Sequence, residues 1–195
     1  MTMWYLDAFK NETYAYYNNA FTPEECEFII NIGSSLGLHK GSIMRAENSY
    51  GLELTTRNSD ISWIGSNEDT AWIFRRITDL VTTVNSQFFN FDLLGFEELQ
   101  FTKYHSDYKG FYSRHTDYGY ENLVNRKLSF SVQLSDPDTY EGGDLVLHGG
   151  SGEMKVQKDH GTMIFFPSFT LHEVKPVTKG LRYSLVGWVN GPRFR

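Results

Sequence analysis

The half of the chain after Asn90 alternates short apolar stretches with clusters of glycine and aspartate, and this pattern constrains the fold most. The stretches with the length and composition of β-strands are 94–104, 110–115, 128–134, 144–147, 153–156, 162–166, 171–174 and 181–189. Turn clusters such as 141–143, 148–152 and 178–180 separate them. Many short strands spaced in this way are typical of a closed or two-sheet β structure. We therefore predict a mainly β protein with a jelly-roll core in residues 91–195.

The first ninety residues predict two supporting helices. Thr22 and Glu25 form a capping-box pattern around Pro23, so a helix should begin there and end near Ile32, before Gly33. A second helix should be capped by residues 66–69. Its apolar stripe repeats at three- and four-residue steps: Ile73, Ile77, Leu80, Val81, Val84 and Phe88.

We predict one domain over residues 1–195, in which residues 1–90 are a helical support region and both helices pack on one sheet. Residues 1–21 should supply an edge strand, and residues 36–62 should hold one or two short strands and a loop.

Charge and cysteine content restrict the possible partners and the location. The formal net charge is −6 with no long run of either sign, which disfavours nucleic acid as the main partner. Cys26 is the single cysteine, so neither an internal disulfide nor a cysteine-based zinc site is possible. The first residues lack a signal-peptide pattern, and no stretch is long and apolar enough to span a membrane. We predict a cytoplasmic protein without a membrane partner; the oligomeric state stays open.

Two histidines and one aspartate are candidate metal ligands. His115 and Asp117 lie two residues apart at the end of a predicted strand, so they project to the same side of the backbone. His172, at the start of another predicted strand, would complete the 2-His-1-carboxylate set that holds non-haem Fe(II) and leaves positions open. The alternative is a chance triplet in a solvated turn. Two further histidines, His148 and His160, lie in glycine-rich turns and are predicted to be solvated.

A bidentate organic acid would occupy two of the open metal positions, and its far carboxylate would need a cation. Arg182 follows His172 by ten residues on the next predicted strand and would supply a forked donor. The alternative is an exposed strand arginine. The apolar neighbours Leu181 and Leu185 make exposure the weaker interpretation.

Taken in order, these motifs resemble those of the Fe(II)/2-oxoglutarate-dependent dioxygenases, and within them the prolyl 4-hydroxylase group and its PKHD-type relatives. The resemblance rests on six stretches: Arg57-Asn58-Ser59, Trp63-Ile64, residues 98–104, residues 112–117, residues 134–145 and residues 166–183. The resemblance implies a double-stranded β-helix, with His115, Asp117 and His172 as both metal ligands and catalytic residues. It also implies cofactor-binding roles for three residues. Arg182 would bind the far carboxylate of 2-oxoglutarate, Tyr104 would hydrogen-bond the co-substrate, and Ser184 would complete an Arg-x-Ser pair.

Departures from the family pattern leave some roles open. Gln133 stands where some prolyl hydroxylases have a tyrosine. Its side-chain amide would either take over the role of that tyrosine or leave that role unfilled. Tyr112 is either a co-substrate contact or a packing residue, and Tyr104 has the alternative of a core aromatic. Collagen-type enzymes have lysine at the position of Arg182, so the chain resembles the bacterial and oxygen-sensor-like branch.

The implied activity is hydroxylation of a C–H bond, in first place on a prolyl residue of a peptide or protein. Fe(II), 2-oxoglutarate and O₂ would take part, with L-ascorbic acid (ascorbate) as a further cofactor, and succinate and CO₂ would be released. The alternatives are an oxygenase acting on a free amino acid, another small molecule or nucleic acid, and a jelly-roll binding module without chemistry. The loops 48–56 and 118–125 are candidate substrate lids.

Overall fold

The computed structural model describes residues 13–44, 50–119, 121–149 and 152–193. Its two α-helices are α1 (Pro23–Ser35) and α2 (Ala71–Val84), and α2 continues into a π-helical turn over Asn85–Phe89. Short 3₁₀ turns cover Ser106–Tyr108, Glu121–Asn125 and Pro137–Thr139. No helix among the described residues is long and apolar enough to cross a membrane.

The strands of the described chain are mostly short. The eight predicted after Asn90 are present, but residues 36–62 hold more strands than the one or two predicted, and two further short strands form at the predicted turns 141–143 and 178–180. In chain order they are β1 (Ala15–Tyr17), β2 (His39–Lys40), β3 (Ile43–Met44), β4 (Tyr50–Gly51), β5 (Arg57–Asn58), β6 (Asp60–Ile64), β7 (Leu99–His105), β8 (Phe111–His115), β9 (Arg126–Gln133), β10 (Glu141–Gly142), β11 (Leu145–Gly149), β12 (Gly152–Lys155), β13 (Met163–Pro167), β14 (Leu171–Val174), β15 (Val177–Lys179) and β16 (Leu181–Asn190).

Two antiparallel sheets form the body of the fold, which confirms the mainly β jelly-roll prediction. The major sheet has the order β1-β13-β9-β16-β7-β6-β2, and the minor sheet has the order β12-β11-β14-β8-β5. The pairs β10-β15 and β3-β4 stand apart. Strand β1 lies at an edge, so the predicted edge strand is confirmed within residues 13–21; residues 1–12 lie outside the described chain.

Helix α1 begins as predicted and ends later than predicted. The Thr22 backbone N–H donates to Glu25 Oε2 at 2.9 Å, and Thr22 Oγ1 accepts from the Glu25 N–H at 3.3 Å, which completes the capping box. Gly33 does not end the helix, because it is a packing position. A Cβ there would lie 2.3 Å from Cγ of Phe101, so only glycine lets the ring lie against the helix. The helix ends before Gly37, whose φ is +79°.

Helix α2 carries the predicted apolar stripe. Ile73, Ile77, Val81 and Val84 are buried. The N-cap position is Thr70 rather than residues 66–69, and Asn67 Oδ1 instead accepts from the N–H groups of Asp69 and Thr70 in the preceding turn.

Both helices pack on the outer face of the major sheet, as predicted. The shared core joins Ile29 of α1 and Ile77 of α2 to Phe101, Phe130 and Phe165 of the sheet. Alternation along the strands turns the intervening residues toward the minor sheet. That inner face is rich in polar and aromatic side chains: Gln100, Thr102 and Tyr104 on β7, Ser129, Ser131 and Gln133 on β9, and Arg182, Ser184 and Trp188 on β16.

Candidate metal centre and cofactor pocket

The three candidate ligands lie together between the two sheets. His115 is the last residue of β8, and His172 on β14 is its antiparallel partner. Asp117 lies just beyond β8, where its N–H and that of Tyr118 both donate to the Ser168 carbonyl at 2.9 Å. The His115 Nε2 atom is 3.8 Å from Asp117 Oδ1, and His172 Nε2 is 3.5 Å from Asp117 Oδ2.

Both imidazoles are held by the backbone in one tautomer. His115 Nδ1 lies 2.8 Å from the Ser113 carbonyl oxygen, and His172 Nδ1 lies 2.9 Å from the Thr170 carbonyl oxygen. A carbonyl only accepts, so each Nδ1 carries the proton and donates it. In the neutral form of each ring, Nε2 carries the free lone pair on the side of Asp117, which is the orientation that a metal ligand needs.

The ionisation of the site suits a divalent cation. Burial, and then the neighbouring His172, lower the pKa of His115 to about 4, so its ring is neutral at neutral pH. Burial acts to raise the pKa of Asp117, but His172, His115 and Arg126 outweigh it and hold that pKa below its usual value. The ligand atoms lie within 4.8 Å of one another. Two neutral imidazole nitrogens and one carboxylate are the donor set of non-haem Fe(II) sites, so these residues fit the metal.

Arg182 is buried in the same cavity with part of its hydrogen-bonding capacity unused. Its side chain is 1% exposed, Nη2 donates to Gln133 Oε1 at 3.0 Å, and Nη1 has no hydrogen-bond partner. No carboxylate of the described chain pairs with it. Burying an unpaired guanidinium is costly, so the site fits an anionic ligand group at Nη1. Gly143, with φ +63°, lets the chain pass the arginine stem, because a Cβ there would lie 2.9 Å from Arg182 Cδ.

Tyr104 and Ser184 also line this cavity. Tyr104 lies opposite Arg182 in the β7–β16 pairing, and its ring faces the guanidinium at 5.3 Å. Ser184 is two residues further along the same face and is buried. The co-substrate roles assigned to both residues stay predictions.

The cavity itself has a volume of about 890 Å³. Its lining includes the three candidate ligands, Arg182, and Trp63 and Phe166 from the motif stretches, together with Arg126 and Trp188, which no sequence motif marked. Arg126 stacks over the Trp188 ring at 4.0 Å. The predicted lid loops reach this cavity through Thr56 and through Tyr118, Gly119 and Leu123, while residues 48, 49 and 120 lie outside the described chain.

The side chains of His115, Tyr112 and Arg57 form a stacked column beside the candidate metal ligands. The Tyr112 and His115 ring centroids are 3.6 Å apart at an interplanar angle of 17°, and Arg57 lies over the other side of Tyr112 at 4.6 Å. Arg57 is buried: Nε donates to Ser59 Oγ, Nη1 donates to the Ser42 carbonyl, and Nη2 has no hydrogen-bond partner. The Arg57-Asn58-Ser59 motif was visible in the sequence, but its contact with the column required the pairing of β5 with β8.

The prediction of a solvated His148 is wrong. It lies on β11, on the outer face of the minor sheet, and its Nε2 is 2.8 Å from Glu173 Oε1. Glu173 also accepts from Arg114 and Lys175, and both cations reach Glu153. His148, Glu153 and Glu173 could be taken for a second metal site. Two cations already neutralise its carboxylates, so this group is an ion-pair network.

Comparison with known proteins gives one family model. Residues 99–190 match the model of the 2OG-Fe(II) oxygenase superfamily. A PKHD-type hydroxylase from Picosynechococcus sp. is 45% identical over 78 residues, which are 40% of this chain and 36% of the relative. A PKHD-type hydroxylase from Synechococcus elongatus is 43% identical over 82 residues, 40% of this chain and 37% of the relative. The matched segment is thus well under half the length of these curated relatives.

Two solved structures share the fold over most of the chain. A Pseudomonas putida prolyl-4-hydroxylase superposes with a TM-score of 0.70 at 23% identity, covering 92% of this chain and 93% of its own. A Trichoplax adhaerens prolyl hydroxylase, solved with a peptide fragment of the oxygen degradation domain of hypoxia inducible factor, gives a TM-score of 0.74 at 22% identity. That match covers 92% of this chain and 84% of the other.

Proposed function

We propose, from the premise that residues 99–190 form a 2OG-Fe(II) oxygenase domain, that this protein hydroxylates a C–H bond of a prolyl residue in a peptide or protein. The observation that carries the proposal is the convergence in one cavity of three metal-ligand atoms and a buried guanidinium with an unused N–H. A metal and an anionic co-substrate would satisfy both features at once.

His115, Asp117 and His172 would hold Fe(II). With 2-oxoglutarate and O₂, the bound metal supplies the oxidising chemistry that converts 2-oxoglutarate to succinate and CO₂ and hydroxylates the substrate. Arg182 would bind the far carboxylate, with Gln133 fixing the plane of its guanidinium. Tyr104 and Ser184 would border that carboxylate on the same inner face of the major sheet. Ascorbate remains part of the proposal as a reductant in solution.

The protein's remaining contribution is a shaped and partly dry pocket. Leu145, Phe166 and Val174 line it on the apolar side, next to the candidate ligands. Such walls keep water from the reacting centre and strengthen the electrostatic contacts inside it. Trp63 and Trp188, whose ring centroids are 6.2 Å apart, supply broad aromatic surface on which a substrate side chain can rest.

A peptide is favoured as the substrate by the relatives. One fold neighbour was solved with a peptide fragment bound, and the curated relatives are named PKHD-type hydroxylases. Free amino acids and other small molecules are the second candidates, because the cavity volume of about 890 Å³ would also enclose them. Nucleic acid is disfavoured by the net charge of −6.

The test begins with anaerobic addition of Fe(II) and 2-oxoglutarate, which should give a visible charge-transfer band. A turnover screen over proline-containing peptides, free amino acids and nucleotides, reading succinate and the mass of one added oxygen atom, then identifies the substrate class. His172→Ala should abolish the band and the succinate, whereas His160→Ala in a half-buried turn should retain both. A band without any peptide hydroxylation would move the proposal to small molecules, and no band with no succinate would refute it.

A further inference from the structure

A fully buried serine on the major sheet touches the carboxylate of the metal set on the minor sheet. Ser129 lies on β9, on the face directed at the cavity, and its Oγ donates to Asp117 Oδ2 at 2.7 Å. Both residues are buried, so water does not compete for this bond. A hydrogen bond to a charged group in such surroundings is stronger than the average protein hydrogen bond.

A second serine makes this contact part of a network. Ser168 Oγ lies 3.0 Å from Ser129 Oγ. Because Ser129 uses its proton on the carboxylate, Ser168 must be the donor in that pair. The Ser168 backbone is anchored too: its carbonyl accepts the N–H groups of Asp117 and Tyr118, and its own N–H donates to the Lys127 carbonyl at 3.0 Å.

This network joins the segments that carry all three candidate ligands. Ser129 belongs to the major sheet, Asp117 follows β8, and Ser168 lies in the connection between β13 and β14, four residues before His172. One hydroxyl therefore ties the carboxylate to the rigid sheet that the helices support. Asp117 itself lies beyond the end of its strand, so it lacks the ladder bonds that hold His115 and His172.

We propose that Ser129 is a positioning residue for the metal site, which holds the Asp117 carboxylate in the orientation that binds the cation, and that Ser168 supports it. The inference rests on the proposed function, since it assumes that Asp117 binds Fe(II). Partners of metal ligands in other proteins contribute about 10-fold to 100-fold to metal affinity. Ser129 should fall at the lower end of that range, because the N–H groups of Asp117 and Tyr118 keep their bonds to the Ser168 carbonyl without it.

The experiment measures metal affinity rather than turnover. The metal-free protein is titrated anaerobically with Mn(II) alone, and the free ion is read by electron paramagnetic resonance. Ser129→Ala should bind Mn(II) about tenfold more weakly than the wild type. Ser129→Thr, which keeps the hydroxyl, should recover most of that loss. Ser62→Ala is the matched control: it removes an equally buried strand hydroxyl, which donates to the Gly33 carbonyl at 2.6 Å, far from Asp117.

Equal Mn(II) affinities for Ser129→Ala and the wild type would overturn the inference. A loss of Mn(II) affinity in Ser62→Ala as large as that in Ser129→Ala would overturn it too, because it would reveal only general destabilisation. If Ser129→Ala does not fold, Ser168→Ala takes its place. Its Mn(II) affinity should fall by about threefold, because Ser168 no longer polarises the Ser129 hydroxyl, whereas the bond from Ser129 to Asp117 stays. An unchanged affinity in that variant would also refute the inference. A wild-type protein that binds no Mn(II) would instead refute the proposed function, so the two failures are distinct.

Discussion

At the scale of single residues, the buried Arg182 makes the clearest prediction. Arg182→Lys keeps the charge but loses the fork that can reach Gln133 and an anion at the same time. We expect the KM for 2-oxoglutarate to rise by about 10-fold to 100-fold, equivalent to about 1.4–2.7 kcal/mol, with a smaller change in kcat. Initial rates of succinate formation at varied 2-oxoglutarate measure it.

The matched control for this change is Arg75→Lys on the exposed side of α2, which should leave both kinetic constants unchanged. An unaltered KM in Arg182→Lys would remove Arg182 from the co-substrate site. Arg182→Gln should be worse than the lysine variant, because it loses the charge as well as the fork.

The residues near the site differ in how readily the sequence reveals them. His115, Asp117, His172 and Arg182 were predictable because their chemistry is unusual for β-strands and their order matches a known pattern. Ser129 was not, because serine is common and its partner comes from the opposite sheet. A signal was nevertheless present: Ser129, Ser131 and Gln133 alternate with apolar residues on a central strand, which places polar groups on an enclosed face.

At the scale of elements, the two sheets are supported differently. Both α-helices of the described chain cover the major sheet, whereas the outer face of the minor sheet carries the ion-pair network around Glu173. Arg114 and Glu173 are the neighbours of His115 and His172 in sequence and point to the opposite face. Ion pairs therefore lie directly behind the strands that bear the candidate ligands.

Glu173→Gln should lower the free energy of unfolding by about 1–2 kcal/mol. The substitution weakens the bonds that Arg114, His148 and Lys175 make to this side chain, which is only 13% exposed. The control is Glu141→Gln. Its pair with Lys179 is exposed on both sides, so its loss should cost less than about 0.5 kcal/mol. Urea unfolding followed by circular dichroism measures both. Equal costs for the two variants would show that the network contributes no more than an ordinary surface pair.

The longer strands after Asn90 were predictable from sequence, but their limits and the two-residue strands were not. All eight strands expected after Asn90 are present, yet β7 begins at Leu99 rather than residue 94, because the preceding residues pair with the sheet only through an isolated bridge between Gly95 and Asn190. The two-residue strands β5 and β10 have no alternation to recognise. They exist because tertiary contacts bring β8 and β15 beside them.

At the scale of the whole molecule, the pKa shifts define a range of pH in which the fold is most stable. A hydrogen bond from Arg76 lowers the pKa of Glu25. At Glu173, burial raises the pKa, but Lys175 and Arg114 outweigh it. These carboxyls bind protons more weakly when folded. Their contribution to the free energy of unfolding is therefore present above their usual pKa of 4.5 and is lost as the pH falls below that value.

Groups whose pKa is raised in the folded state act in the opposite direction and set the alkaline limit of stability. Burial raises the pKa of Cys26 from 9.0 to about 12 and that of Tyr112 from 10.0 to about 12, so the folded protein keeps protons that the unfolded chain releases. Stability should thus decline as the pH rises from about 9 toward 12. Burial lowers the pKa of His115 from 6.5 to about 4, so the unfolded chain binds a proton there more readily and stability also falls as the pH drops below about 6.5. Thermal unfolding of the metal-free protein between pH 3 and 11 should therefore show a plateau from about pH 7 to 9. A Tm that stays constant from pH 9 to 11 would contradict the alkaline part.

The hydrogen bonds that orient the two imidazoles have a consequence for mutational robustness. Each Nδ1 donates to a backbone carbonyl two residues earlier, so no single side-chain replacement elsewhere can delete either acceptor. The carboxylate depends on a side-chain hydroxyl and can lose it by one substitution. Random mutagenesis should therefore find indirect loss of metal binding mainly around Asp117. The histidine positions should tolerate almost any change in their surroundings that leaves the two strands paired.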